Sequence, residues 1–274
     1  MQNTYNQVIS EERFEFGKNW RSFLSTLSQE RIDEAKRSLL DLLKIENLNG
    51  KKFLDIGSGS GLFSLAARQL GAEVYSFDYD PESVTCARLL REKYANDDKG
   101  NWHIEQGSIL DDEYIGKLGT FDVVYSWGVL HHTGNMWQAI QNFDKLVAPG
   151  GYACIAIYND QGIVSRIWRG VKRTFCSSFP GKALVCAVFF PYFFLRVLAS
   201  SVIRKKNQFA EYKKNRGMSI IHDWLDWLGG YPFEVASVHE VFTFFSNQNY
   251  TLVNIYASNT LGNNEFTFVK NRTS

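Results

Sequence analysis

The run Phe53-Leu54-Asp55-Ile56-Gly57-Ser58-Gly59-Ser60-Gly61 constrains this chain more than any other feature, because a largely apolar segment passes straight into a glycine-rich turn and then into helical spacing. Glycines in such a turn let the backbone approach a ligand closely, and the helix that follows presents its first N–H groups to a polar partner. The order strand, turn, helix recurs downstream. Short apolar runs at 52–57, 73–77, 101–106, 121–127 and 151–158 alternate with helix-like stretches at 61–71, 81–95 and 135–147. Such alternation calls for right-handed crossovers and a parallel sheet. A helix at 237–248 precedes two closing runs, Tyr250–Ser258 and Glu265–Lys270, and the Gly and Asn residues between them suit a hairpin. The expected fold class is therefore α/β, a doubly wound, mostly parallel seven-stranded sheet with an antiparallel last strand.

Around this core the sequence divides. Residues 11–27 and 29–44 carry helical apolar spacing and predict an N-terminal helical arm over 1–50, with the core expected at 51–160 and 235–274. Residues 161–234 interrupt the alternation and predict a helical cap. Within it, Gln161 to Arg216 holds twelve Lys or Arg against the single acid Glu211, although the whole chain has a net charge of only +1. An asymmetry of this size favours an anionic partner. The stretch Ala183–Ile203 approaches the length of a membrane span, but Pro191 and Arg196 interrupt it and basic residues flank both ends. It is expected to cover the acceptor site, with its apolar face on the core or on a homodimer partner; peripheral contact with anionic lipid through 183–206 is the alternative. The cysteines Cys86, Cys154, Cys176 and Cys186 lie at no metal-ligand spacing, and the N-terminus has no basic and apolar leader pattern. Reduced thiols, a cytoplasmic location and no metal are expected.

The glycine turn alone fits several nucleotides. Asp78 ends the second run, seventeen residues after Gly61, where a carboxylate can accept both hydroxyls of an adenosine ribose, and Tyr79 can pack on the base. The third run ends at Gln106-Gly107-Ser108-Ile109, and the fourth, Phe121 to Trp127, faces the same crevice. Neither a P-loop nor a Tyr-x-x-x-Lys pair is present.

This set resembles the class I, seven-stranded S-adenosylmethionine-dependent methyltransferases over roughly residues 50–160 and 237–270. The resemblance implies S-adenosyl-L-methionine as cofactor, with Gly57 and Gly59 behind its methionine part, Asp78 on the ribose, and Ser108 and Ile109 beside the adenine. Asp55, Tyr79 and Trp127 complete the expected cofactor contacts. More narrowly, Trp127-Gly128-Val129-Leu130-His131-His132-Thr133-Gly134 and Ala156-Ile157-Tyr158-Asn159-Asp160 resemble a bacterial subgroup associated with methylation of cell-surface carbohydrates and small metabolites.

Methyl transfer from a sulfonium needs alignment and, for a neutral hydroxyl acceptor, removal of a proton. His131 and His132 follow the fourth run at the ligand edge, so one of them is the expected base; the competing reading is that both only hold the loop or touch the cofactor. Tyr158, Asn159 and Asp160 on the same rim, with Arg216, His222 and Tyr231 from a cluster rich in His, Asp, Trp and Gly, are the expected acceptor contacts. The leading expectation is O-methylation of a small anionic or sugar-related metabolite. The alternatives are a lipid-like acceptor at the membrane surface, an RNA substrate and a non-enzymatic nucleotide-binding module. Nucleic acid is disfavoured because no appended RNA-binding module accompanies the basic segment, and the loop after the fourth run lacks an Asn/Asp-Pro-Pro-aromatic motif.

Overall fold

A computed structural model describes residues 27–95, 101–204 and 220–272. The expected helix over 11–27 lies outside them apart from its last residue, as does Arg216. The first described helix, α1 (Gln29–Leu43), starts where the Ser28 hydroxyl accepts from the Arg31 amide, and it buries Ile32, Ala35, Leu39, Leu42 and Leu43 along one stripe.

The alternating segment follows in the expected order: β1 (Lys52–Ile56), α2 (Leu62–Gln69), β2 (Glu73–Asp78), α3 (Pro81–Tyr94), β3 (Trp102–Gln106), α4 (Asp112–Leu118) and β4 (Phe121–Trp127). A short 3₁₀ turn, Leu130–His132, leads to α5 (Met136–Lys145) and β5 (Val147–Tyr158). Three helices make up the described part of the 161–234 segment: α6 (Ile163–Ser177), α7 (Phe179–Arg204) and α8 (Ile220–Gly229). The chain closes with α9 (Val238–Asn247), β6 (Tyr250–Tyr256) and β7 (Asn263–Lys270). A capping box starts α9, Ser237 accepting from the Glu240 amide while the Glu240 carboxylate reaches back.

The seven strands lie in the order β3-β2-β1-β4-β5-β7-β6. Pairing is parallel from β3 through β5, and β7 runs antiparallel to both β5 and β6. Apolar clusters fill both faces, as a doubly wound sheet requires. One gathers Ile140 and Phe143 of α5 with Phe245 of α9 against Phe266 and Phe268; the other sets Leu39 of α1, Leu65 of α2 and Val84 of α3 against Phe53 and Val123. A third cluster holds α6, α7 and α8 together through Phe175, Val185, Phe193 and Leu228. Strand order reverses between β1 and β4, and ligands of such sheets bind in the crevice beyond the carboxyl ends at that point.

Candidate active site

The turn between β1 and α2 has Gly57, Gly59 and Gly61 at φ 73°, 54° and 80°, a region that side-chain-bearing residues rarely adopt. A β-carbon on Gly57 would lie 2.4 Å from the Val129 side chain, so this turn packs directly against the loop after β4. Its register is held from β2. The Gly57 and Ser58 amides donate to the Phe77 carbonyl at 2.8 and 3.2 Å, and the Gly59 amide donates to Asp78 Oδ2 at 2.9 Å. Asp78 Oδ1 accepts from the Asp80 amide at 2.9 Å. A carboxylate offers about four acceptor sites, enough to serve backbone amides and ligand hydroxyls together. The Ser58 hydroxyl is buried with no hydrogen-bond partner, and the first turn of α2 has no side-chain cap. Unsatisfied polar groups of this kind suit a polar ligand against the turn.

Asp55 sits beneath the turn, almost fully buried, with its Oδ2 accepting from the Ser64 hydroxyl at 2.6 Å. Burial pushes its carboxyl up to about 7 against the Ser64 hydrogen bond, and the nearby Asp78 charge adds to the rise. The folded state therefore binds more protons than the unfolded chain between about pH 4 and 7, and this residue lowers stability as pH rises through that window. Asp55→Asn is expected to raise the melting temperature of the cofactor-free protein by an increment that grows from pH 4 to 7 and then levels off. An increment independent of pH in melting scans contradicts this. A cationic ligand over the turn would instead favour the ionised carboxylate, so a residue unfavourable in the empty protein suits an occupied one.

The other expected cofactor positions border the same crevice. Tyr79 is exposed, and its carbonyl accepts from Gln106 Nε2 at 3.0 Å. The Ser108 hydroxyl accepts from the Leu110 amide at 3.2 Å, and the buried Ile109 has its carbonyl tied to Asn142 Nδ2 at 2.8 Å. Trp127 is exposed at the end of β4, where its side chain hydrogen-bonds Glu265. The residues present thus fit the cofactor that the resemblance implies: a carboxylate at the end of β2, a turn with three glycines at positive φ, an unpartnered serine hydroxyl and a buried carboxyl.

Across the Gly57–Val129 contact lie the paired histidines. His132 Nδ1 lies 2.6 Å from the Pro232 carbonyl; an oxygen acceptor there requires the proton on Nδ1, which leaves the lone pair on Nε2. His131 is the reverse case. Its Nδ1 faces the Tyr158 amide, which donates to it at 3.3 Å, and its Nε2 is a buried atom with no partner. Burial, then the neighbouring His132 and Lys172, hold the His131 imidazole well below its usual range, outweighing the Ala156 carbonyl nearby. The Tyr158 ring packs on His131 at 4.0 Å between centroids, and Phe233 and Trp227 close over Tyr158 at 5.2 and 6.0 Å.

The remaining expected acceptor contacts separate. The Asn159 side chain donates to the Ser258 and Thr260 carbonyls at 2.8 and 3.2 Å and accepts from Asn264 at 3.0 Å, which commits it to the β6–β7 hairpin. Asp160 accepts from the Gly162 amide at 2.8 Å, a turn leading into α6. Tyr231 lies half-buried beside Pro232. His222 belongs to α8, but its side chain lies outside the described residues.

Ser58 and Val129 sit inside the glycine turn and the loop after β4 without standing out there, and Arg169 and Lys172 lie outside every motif. A signal for Lys172 exists, because it shares the buried face of α6 with Ser165 and Phe175, a lysine on an otherwise inward stripe.

A family model for the methyltransferase domain matches residues 27–188, more than half of the chain. The ubiquinone biosynthesis O-methyltransferase of Vibrio parahaemolyticus serotype O3:K6 is 31% identical over 118 residues, covering 43% of this chain and 48% of that protein. Its counterpart in Psychrobacter arcticus is 32% identical over 113 residues, covering 41% and 42%. The chain spans about half the length of the curated relatives it matches. Magnesium protoporphyrin IX methyltransferase from Synechocystis PCC 6803, solved with bound SAH, shares the fold with a TM-score of 0.51 at 15% identity, covering 89% of this chain and 83% of that one. An O-methyltransferase family protein from Burkholderia thailandensis does so with a TM-score of 0.53 at 13% identity, covering 90% and 57%. With the family model matched over more than half of the chain and the sheet order in agreement, the chain belongs to the methyltransferase-domain family, as a class I S-adenosylmethionine-dependent methyltransferase.

Proposed function

We propose that this protein methylates an oxygen of a small acceptor seated between the carboxyl ends of β4 and β5 and the α6–α8 cap. The contact between Gly57 and Val129 carries the reading, since it brings the cofactor cradle within two residues of His131. Bound in the cradle, S-adenosylmethionine supplies a methyl group on a sulfonium for in-line displacement. Gly57, Gly59 and the Ser58 hydroxyl line its methionine part, Asp55 lies beneath that part, and Asp78 takes the ribose. Tyr79, Ser108, Ile109 and Trp127 border the rest. His132, with its lone pair on Nε2, accepts the acceptor's proton, while Tyr158, Phe233 and Trp227 exclude water beside it. Oxygen as the methylated atom is supported by the names of the two bacterial relatives and by the Gly128-Val129-Leu130-His131-His132 loop after β4.

An anionic or sugar-related acceptor is supported by the basic 161–216 segment. The cell-surface carbohydrate subgroup rests on the two short motifs alone. Release of S-adenosylhomocysteine from a panel of hydroxylated acids, phosphorylated sugars and nucleotide sugars tests this. Turnover only with amines or carbon acids defeats the oxygen assignment.

One observation favours a second reading, a lipid-like acceptor for a cytoplasmic enzyme that sits peripherally on the membrane. Phe179–Ser201 is long and apolar enough to cross a bilayer, and only 11% of its most apolar window is buried. One face, with Val185, Phe189 and Phe193, packs on the cap cluster. Leu184, Val188, Leu195 and Leu198 of α7 are exposed, as are Ile163 and Ile167 of α6 and the basic Lys182 and Arg196. A helix that is apolar on both sides, yet used on one side for folding, suits an interface better than a span. Flotation with vesicles of anionic or zwitterionic lipid separates the readings: co-flotation with anionic vesicles alone, lost on Leu195→Glu, supports the membrane. No flotation together with sedimentation as a dimer assigns the face to a second copy.

A further inference from the structure

Helix α6 turns a lysine into the protein interior. Lys172 is fully buried; its ammonium donates to the Trp227 carbonyl and lies 4.2 and 5.0 Å from the ring centroids of Trp227 and Phe233. Two more side chains of α6 reach the same segment. Arg169 Nε donates to the Phe233 carbonyl at 3.1 Å, and Cys176 Sγ donates to the Gly229 carbonyl at 3.0 Å. Positions 169, 172 and 176 fall on one helical face, so α6 grips residues 227–233 at three points. That strap leads directly to the histidines. Its Pro232 carbonyl accepts from His132 Nδ1, its Glu234 amide donates to the His131 carbonyl at 3.0 Å, and the Glu234 carboxylate accepts from the Met136 amide at 3.0 Å.

We propose that Lys172 is a positioning residue for the paired histidines: by gripping the strap at Trp227 it sets where Pro232 holds the His132 imidazole and where Glu234 holds the His131 backbone, and its charge bears on His131. The assignment deepens the reading of His132 as the acceptor's base, but it concerns the imidazoles themselves and is tested without turnover. One carbonyl and two ring faces replace water incompletely around an ammonium, and burial lowers the Lys172 pKa to about 7. Cys176 faces it from its own helix, and His131 faces it from the turn after β4 with His132 and Tyr158 packed alongside. Glu234 on the strap is set against Arg169. Among the described residues no carboxylate pairs with Lys172. A methionine would fill the same space without this desolvation cost, so the ammonium opposes stability, as functional groups often do.

The experiment is histidine NMR on labelled, cofactor-free protein between pH 5 and 9 for wild type, Lys172→Met and Lys172→Arg, each checked by melting. In the wild type, His132 is expected to carry its proton on Nδ1, and His131 to stay neutral well below the usual imidazole range. Lys172→Met should mix the His132 tautomers and raise the His131 midpoint, through loss of the nearby cation. Lys172→Arg keeps a cation on the same carbonyl and should leave both signatures near wild type. Unchanged imidazoles in a folded Lys172→Met overturn the proposal. Should that variant fail to fold, lysine-labelled wild type decides: the proposal expects one lysine titrating near 7 in step with a shift of the His131 signals. Lysines that all titrate near ~10.4 overturn it. Absence of S-adenosylhomocysteine binding would defeat the proposed function and leave this result standing.

Discussion

His132→Ala is expected to lower turnover by roughly 10²–10⁴-fold, the range for loss of a general base, with S-adenosylhomocysteine affinity nearly unchanged. The Pro232 carbonyl at 2.6 Å fixes the tautomer that leaves Nε2 able to take a proton. His131→Ala should behave differently. Its Nδ1 is occupied by the Tyr158 amide and burial keeps it neutral, so its removal opens a cavity under Tyr158 and lowers the melting temperature more than it lowers kcat. Kinetics on any acceptor that releases S-adenosylhomocysteine distinguish the two. Equal activity in both variants would mean that the acceptor binds already ionised and needs no base.

Asp78→Ala should nearly abolish cofactor binding. Two charge-assisted hydrogen bonds to ribose hydroxyls, at roughly 1.5–3 kcal/mol each, amount to two to four orders of magnitude in Kd. The same carboxylate also holds the Gly59 and Asp80 amides, so the variant loosens the cradle itself. Asp78→Asn separates these effects, because its amide oxygen still accepts one backbone N–H while the charge is gone. An affinity within a few-fold of wild type in calorimetry would remove Asp78 from the ribose role.

The sheet was legible because its signals are local: apolar runs, glycine punctuation, and the Gly and Asn residues at the hairpin. Elements with weak local signals were less so. Helix α4 has only seven residues, includes Gly116 and buries Ile115 alone, so no apolar stripe announces it. Strand β5 begins at Val147, four residues before its apolar run, because Val147 already pairs with Phe121 although Ala148-Pro149-Gly150-Gly151 reads as a turn. The site divides similarly. Gly57, Asp78 and the histidine pair stand out in sequence, since each lies at the end of a strand-like run. Which proton position His132 adopts depends on Pro232, a hundred residues away, and the commitment of Asn159 to the hairpin depends on Ser258, Thr260 and Asn264. Long-range partners of this kind leave no mark on local spacing.

The most direct test of the account is calorimetric titration of the purified protein with S-adenosylhomocysteine and, in parallel, with NAD. Saturable one-to-one binding of S-adenosylhomocysteine that raises the melting temperature and is lost in Asp78→Ala is expected, with no heat from NAD. Saturable binding of NAD with none of S-adenosylhomocysteine would contradict it.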